Sequence, residues 1–197
     1  MMVPLISYLW LALALYWVVS AARVKRTKET ENRGTYALRI IFLVLVFEAL
    51  FSKWGRIGWF GRRFIAYHSE VMIAAFFIVV TGLGLAAWAR HCLGGNWSSA
   101  VTLKEGHELI GRGPYRFIRH PIYTGFQVGL LGTALAIGQW RGIVVFVIVV
   151  AVQFAKARKE EVWLAREFGA AFEEHRARTG MFLPRIFRAK PRAAQDI

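Results

Sequence analysis

Long apolar runs alternate with short basic connections along the whole chain. The first run, Val3 to Ala22, has the length of a membrane span, because a helix of about 20 residues covers the roughly 30 Å of hydrocarbon. Its first base, Arg23, follows the run, whereas a cleaved leader carries basic residues ahead of its apolar core. A retained helix is therefore expected. A polar stretch, 23–35, leads to a second run, Tyr36 to Phe51, which Arg39 and Glu48 interrupt. Residues 53–69 mix Trp, Tyr and Arg as interfacial segments do. The third run, Val71 to Ala89, is uninterrupted. After the polar stretch 90–120 come two shorter runs, Pro121 to Ile137 and Ile143 to Ala155, joined by Gly138-Gln139-Trp140-Arg141-Gly142 as a tight helical hairpin. The charged end, 156–197, carries Glu160, Glu161 and Glu167 on an expected amphipathic helix.

This pattern predicts an all-α integral membrane protein with about five transmembrane helices, the last two a hairpin, in a single domain over 1–197. Within it, residues 1–93 supply the N-terminal helices, 94–184 a cofactor-binding core and 185–197 a basic tail.

Composition fits that reading. Apolar residues make up 56% and charged residues 19% of the chain, yet the net charge is +14. Such an excess suits nucleic acid or a membrane topology signal, and the placement of the bases decides. With the N-terminus outside, twenty of the 26 Lys and Arg fall in 23–35, 90–120 and 156–197, all on the cytosolic side. The expected partner is thus the bilayer, not nucleic acid. Four bases in 53–69 leave open a second run that does not fully cross. The single cysteine, Cys92, excludes an internal disulfide, and without a CxxC pair or HExxH no metal site is expected.

Two glycine patterns read as packing rather than chemistry. Gly82-Leu83-Gly84-Leu85-Ala86-Ala87 fits G-x-G-x-x-A, but it lies inside an apolar helix and lacks the preceding strand of a dinucleotide fold. Gly125 and Gly129 form a GxxxG step with the same meaning.

The stretch Lys104 to Tyr123, KEGHELIGRGPYRFIRHPIY, is different. It crowds ionisable groups against a helix that should begin at Pro121, since proline suits a first turn. A helix start beside Arg119 and His120 favours a bound carboxylate. Gly111 and Gly113 allow close backbone approach, and Tyr115 and Tyr123 offer flat faces and hydroxyls.

The segment GPYRFIRHPIYTG resembles the signature of the isoprenylcysteine carboxyl methyltransferase and phospholipid methyltransferase superfamily. The resemblance runs upstream through Gly106-His107-Glu108-Leu109 and downstream to Glu160-Glu161, Leu164, Phe168-Gly169 and Leu183-Pro184, covering about residues 100–184. Membrane sterol reductases carry a similar element, with Asn after His-Pro and an acid soon after Tyr. Ile122 and Gly125-Phe126 stand there instead, favouring the methyltransferase branch over an NADPH-dependent reductase or a non-catalytic subunit of the same fold. Phe172 and His175 replace tyrosines frequent in relatives.

The resemblance implies an S-adenosylmethionine-dependent enzyme with a cytosolic site, acting on a lipophilic or membrane-associated acceptor. A carboxylate is expected first; an amine or thiol remains open. Glu160 and Glu161 are implied for the cofactor's ammonium, although adjacent helical residues point about 100° apart and one would pair with Arg158 or Arg166. His120, at the Pro121 helix start, Tyr123 and the backbone from Gly113 to Tyr115 are implied for its carboxylate and ribose. His107 and Leu109 would line the adenosine side, with Lys104 at a less constant position. Arg119 would orient a carboxylate acceptor; Glu160, Glu161 or His120 would serve as base for an amine.

Overall fold

The computed structural model describes residues 2–21, 33–53, 55–96 and 109–185. Six helices account for most of them: α1 (Met2–Ala21), α2 (Arg33–Phe51), α3 (Ser69–Leu93), α4 (Pro121–Ile137), α5 (Trp140–Phe168) and α6 (Ala170–Arg178). Among the described residues no strand forms, only the isolated bridges Arg63–Gln139 and Ile118–Gly180. Three helices, α1, α3 and α5, are long and apolar enough to cross a membrane; Ile40–Phe51 within α2 and Pro121–Ile137 are shorter apolar helices.

The architecture is built on α3 against α4. Without hydrophobic driving force in lipid, helices associate where small residues let backbones meet. A Cβ on Gly82 would lie 2.7 Å from the Gly125 carbonyl oxygen and 2.9 Å from Gly129 Cα. A Cβ on Gly125 would lie 2.6 Å from both Ala86 N and the Gly82 carbonyl oxygen. Gly82 on one helix and Gly125 and Gly129 on the other thus form the contact line of the pair. On it α1 lays Ile6, Trp10 and Leu13, all buried. The Trp10 indole donates to Thr133 Oγ1 at 3.0 Å, and Thr133 in turn donates to the Gly129 carbonyl at 2.8 Å, so no polar group of that buried pair is stranded.

Side-chain ties fix which ends lie together. Arg141, at the start of α5, donates to the carbonyls of Ala49 and Ser52 at 3.0 and 2.9 Å, closing the C-terminal end of α2. Phe64 N donates to the Gly138 carbonyl and Trp140 N to the Arg62 carbonyl, each at 3.1 Å, while Trp59 stacks on Trp140. Residues 55–68 and the hairpin turn therefore share one end. At the other, Arg90 at the foot of α3 donates to the Ser20 carbonyl at 2.8 Å. That second end also receives the start of α4 and the exit of α5.

One expected boundary is corrected. The apolar run Ile143 to Ala155 and the charged residues after it form the single 29-residue helix α5, not a span followed by a separate amphipathic helix. No Gly or Pro lies between Ile143 and Phe168 to stop it; Gly169, at φ 50°, does.

Candidate active site

The segment entering α4 is shaped before it is charged. Gly113 takes φ 58° and opens a 3₁₀ turn, Gly113–Arg116. A Cβ there would lie 2.6 Å from Cys92 Sγ, so Gly113 seats the turn against the foot of α3. Tyr115 is buried with Ala89 and Ile122 in a small apolar floor that Ile110 also joins. Burial raises the Tyr115 hydroxyl above its ordinary value, which leaves it neutral. Leu109 is half-buried at the approach to this turn. Lys104 and His107, implied on the cofactor's adenosine side, lie outside the described residues.

Residues 117–120 then run beside 179–182. Arg119 N donates to the Gly180 carbonyl at 2.8 Å, His120 N to the Met181 carbonyl at 3.1 Å, and Gly180 N to the Phe117 carbonyl at 3.2 Å. Thr124 Oγ1 adds a bond to the Phe182 carbonyl at 2.7 Å. Main-chain pairing thus straps the C-terminal segment across the start of α4. The Arg119 and His120 amides are taken up by this pairing.

The side chains of the same residues meet the α5 extension. Arg119 Nε donates to Glu161 Oε1 at 2.7 Å, with both side chains buried. Arg119 Nη1 donates to the Thr179 carbonyl. His120 lies between the two acids, Nδ1 3.4 Å from Glu160 Oε2 and Nε2 3.4 Å from Glu161 Oε1. Tyr123 donates to Glu160 Oε1 at 2.7 Å, and Lys156 Nζ is 3.7 Å from that oxygen. The His120 ring stacks on Tyr123 with centroids 5.5 Å apart, and Phe182 meets both rings edge-on.

Adjacent helical acids reach one cluster because an imidazole carries a nitrogen on either side. The pairing of one acid with Arg158 or Arg166 is therefore corrected: Glu161 pairs with Arg119. Lys156, Thr179 and Phe182 complete the arrangement and were not anticipated. The i, i+4 spacing of Lys156 to Glu160 was a readable signal; the other two are placed by backbone bonds.

The charges support one another. Burial lowers the His120 pKa, but hydrogen bonding to Glu160 and Glu161 outweighs it and the net shift is upward. Burial raises Glu161, while His120 and Arg119 bring it down to about 2. Glu160 is also lowered, with His120, Lys156 and Tyr123 overcoming its burial. The two carboxylates therefore favour the charged form of the imidazole between them. A raised histidine stabilises the fold below its unfolded value of 6.5 and loses that contribution as pH climbs through the folded value. The lowered acids contribute above about 4.5 and lose it as pH falls, Glu161 only toward about 2. The unfolding temperature in detergent should therefore decline on the alkaline side of neutrality, and His120→Gln should flatten that decline. An unchanged alkaline limb in the variant would remove His120 as its cause.

Fold and site together define an all-helical membrane protein whose ionic centre sits where α5 ends its apolar stretch beside the start of α4. Residues 73–166, the segment from α3 to most of α5, match the model of the isoprenylcysteine carboxyl methyltransferase (ICMT) family. The match begins earlier than the resemblance at about residue 100, taking in the glycine face of α3. The chain is 31% identical over 112 residues to the protein-S-isoprenylcysteine O-methyltransferase of Saccharomyces cerevisiae, covering 55% of this chain and 47% of the yeast protein. It is 31% identical over 96 residues to the Schizosaccharomyces pombe protein of that name, covering 47% and 41%. A probable protein-S-isoprenylcysteine O-methyltransferase of Oryza sativa subsp. indica is 34% identical over 87 residues, covering 44% and 46%. The chain spans about half the length or less of these curated relatives.

Proposed function

We propose that the chain is an S-adenosylmethionine-dependent integral membrane methyltransferase whose acceptor is a lipophilic carboxylate. The observation that carries this reading is the cluster of His120, Tyr123 and Glu160 at the start of α4, within the segment matched to the family. Its chemistry suits the methyl donor. Glu160, partly exposed and already holding a lysine ammonium, would hold the donor's ammonium in place of Lys156. His120, whose charged form the two acids favour, sits at the first turn of α4 and suits the donor's carboxylate. The faces of Tyr123 and Phe182 suit a cationic sulfonium. When bound, the cofactor supplies a methyl carbon that is already electrophilic.

The protein then has to align the acceptor and exclude water. Arg119 spends Nε on Glu161 and Nη1 on Thr179, and among the described residues Nη2 makes no hydrogen bond, leaving it for an acceptor oxygen. Glu161 is expected to act by fixing Arg119 rather than as a base. A carboxyl lowered to about 2 is a weak proton acceptor, and the two flanking carboxylates favour the protonated form of His120. This favours an acceptor ionised at neutral pH, as a carboxylate is, over an amine that must lose a proton. The acceptor would enter sideways from the lipid, since the cluster adjoins the exit of α5. The N-terminus is taken as external and the site as cytosolic, following the distribution of bases.

The purified protein, supplied with methyl-labelled S-adenosylmethionine, should label a prenylcysteine as a base-labile ester. It should leave phosphatidylethanolamine and small thiols unlabelled. Transfer to the amine instead would overturn the carboxylate assignment.

A further inference from the structure

A second polar feature adjoins the Arg119–Glu161 pair through Glu161. It is a notch of about 120 Å³ between α5 and α6, lined by Arg158, Glu161, Val162, Ala165 and Arg176. Its lining includes none of His120, Tyr123 and Glu160, on which the methyl-donor reading rests. Its charge is positive. Glu161 is matched by Arg119 and His120, Arg158 makes no ion pair or hydrogen bond among the described residues, and Arg176 has only an exposed contact with Glu173 at 3.3 Å. Val162, 51% exposed, adds an apolar flank.

Depth limits what can reach it. Counting about 20 residues for the hydrocarbon from Trp140 places Arg158 at the boundary, and Val162 is about 6 Å further out. Headgroups fill that layer, about 5–8 Å thick on each side of the bilayer. We propose that the notch between α5 and α6 binds the phosphodiester headgroup of an anionic phospholipid, with Arg158 and Arg176 on the phosphate and Val162 against the glycerol end. The Arg176 carbonyl accepts from Arg119 Nη1 at 3.4 Å, so an occupied notch also braces α6 and the strap over the active site.

The assignment does not depend on methyl transfer, and its test reads only unfolding, so the two readings fail separately. The full-length protein in neutral detergent is heated with short-chain phosphatidylglycerol, short-chain phosphatidylcholine or inorganic phosphate. Phosphatidylglycerol should raise the unfolding temperature, and the other two should not. R158Q/R176Q should weaken the half-saturating concentration by about tenfold or more, from the loss of two charge-assisted contacts. R178Q, whose arginine pairs with Glu174 outside the notch, should respond as the parent does. Both changed arginines are exposed, and the unfolding temperature without lipid checks that the variant folds. An undiminished response in R158Q/R176Q would overturn the site. An equal response to phosphatidylcholine or to free phosphate would overturn the headgroup.

Discussion

Arg119→Ala should stop methyl transfer and destabilise the fold together. The guanidinium is the partner of a buried carboxylate at 2.7 Å and the side-chain anchor of the Thr179 carbonyl. Removing one member of a buried ion pair leaves an uncompensated charge and costs about 3–5 kcal/mol. His120 still faces Glu161, so the lower end of that range is expected. Turnover should fall by about a hundredfold or more, because the acceptor loses its orienting group and the strap its anchor. R119A/E161Q separates the causes. Neutralising the orphaned acid should return part of the stability and none of the activity. A double variant no more stable than Arg119→Ala would mean that the ion pair is not what the single change breaks.

Gly82→Ala should be the most damaging one-carbon change in the membrane core. Its Cβ would meet main-chain atoms of α4 at 2.7 and 2.9 Å, where neither side can rotate away. Carbon contacts relax near 3.5–4.0 Å, so the helices must part by roughly 1 Å, at about 3 kcal/mol for an overpacked core. Gly84 is the matched control. It lies two residues on in the same helix with open space around it, so Gly84→Ala should be neutral or stabilise by up to about 1 kcal/mol. Unfolding temperatures of the pair would check this, and equal shifts would mean that α3 and α4 do not meet at Gly82. Because α4 begins at His120-Pro121, the same separation should also reduce activity.

Both predictions reflect what the sequence made legible. Apolar runs are read by length, and α3 and the α4–α5 hairpin follow from Val71–Ala89, Pro121–Ile137 and the turn at Gly138. Small residues on an apolar helix mark where backbones approach, so Gly82, Gly125 and Gly129 were readable as packing. The extent of α5 was not, because the change from apolar to charged at Lys156 marks the edge of the bilayer and not of the helix. In the site, residue types were legible and their pairing was not. Arg119 and Glu161 lie 42 positions apart, and no local spacing selects Glu161 over Glu160. The strap was hidden because its bonds to Gly180 and Met181 join backbone atoms, which leave no mark on residue choice. Phe182 entered the cluster with the strap.

The central claim is that His120, Tyr123 and Glu160 form a site for a cationic methyl donor. Calorimetric titration of the detergent-purified, folded protein tests it most directly. S-adenosylmethionine and its demethylated product should each bind saturably at one site, NADPH should give no heat of binding, and Glu160→Gln should weaken S-adenosylmethionine by about tenfold or more through loss of a charged partner. A folded sample that takes up neither S-adenosylmethionine nor its product, or that binds NADPH in their place, would contradict the account.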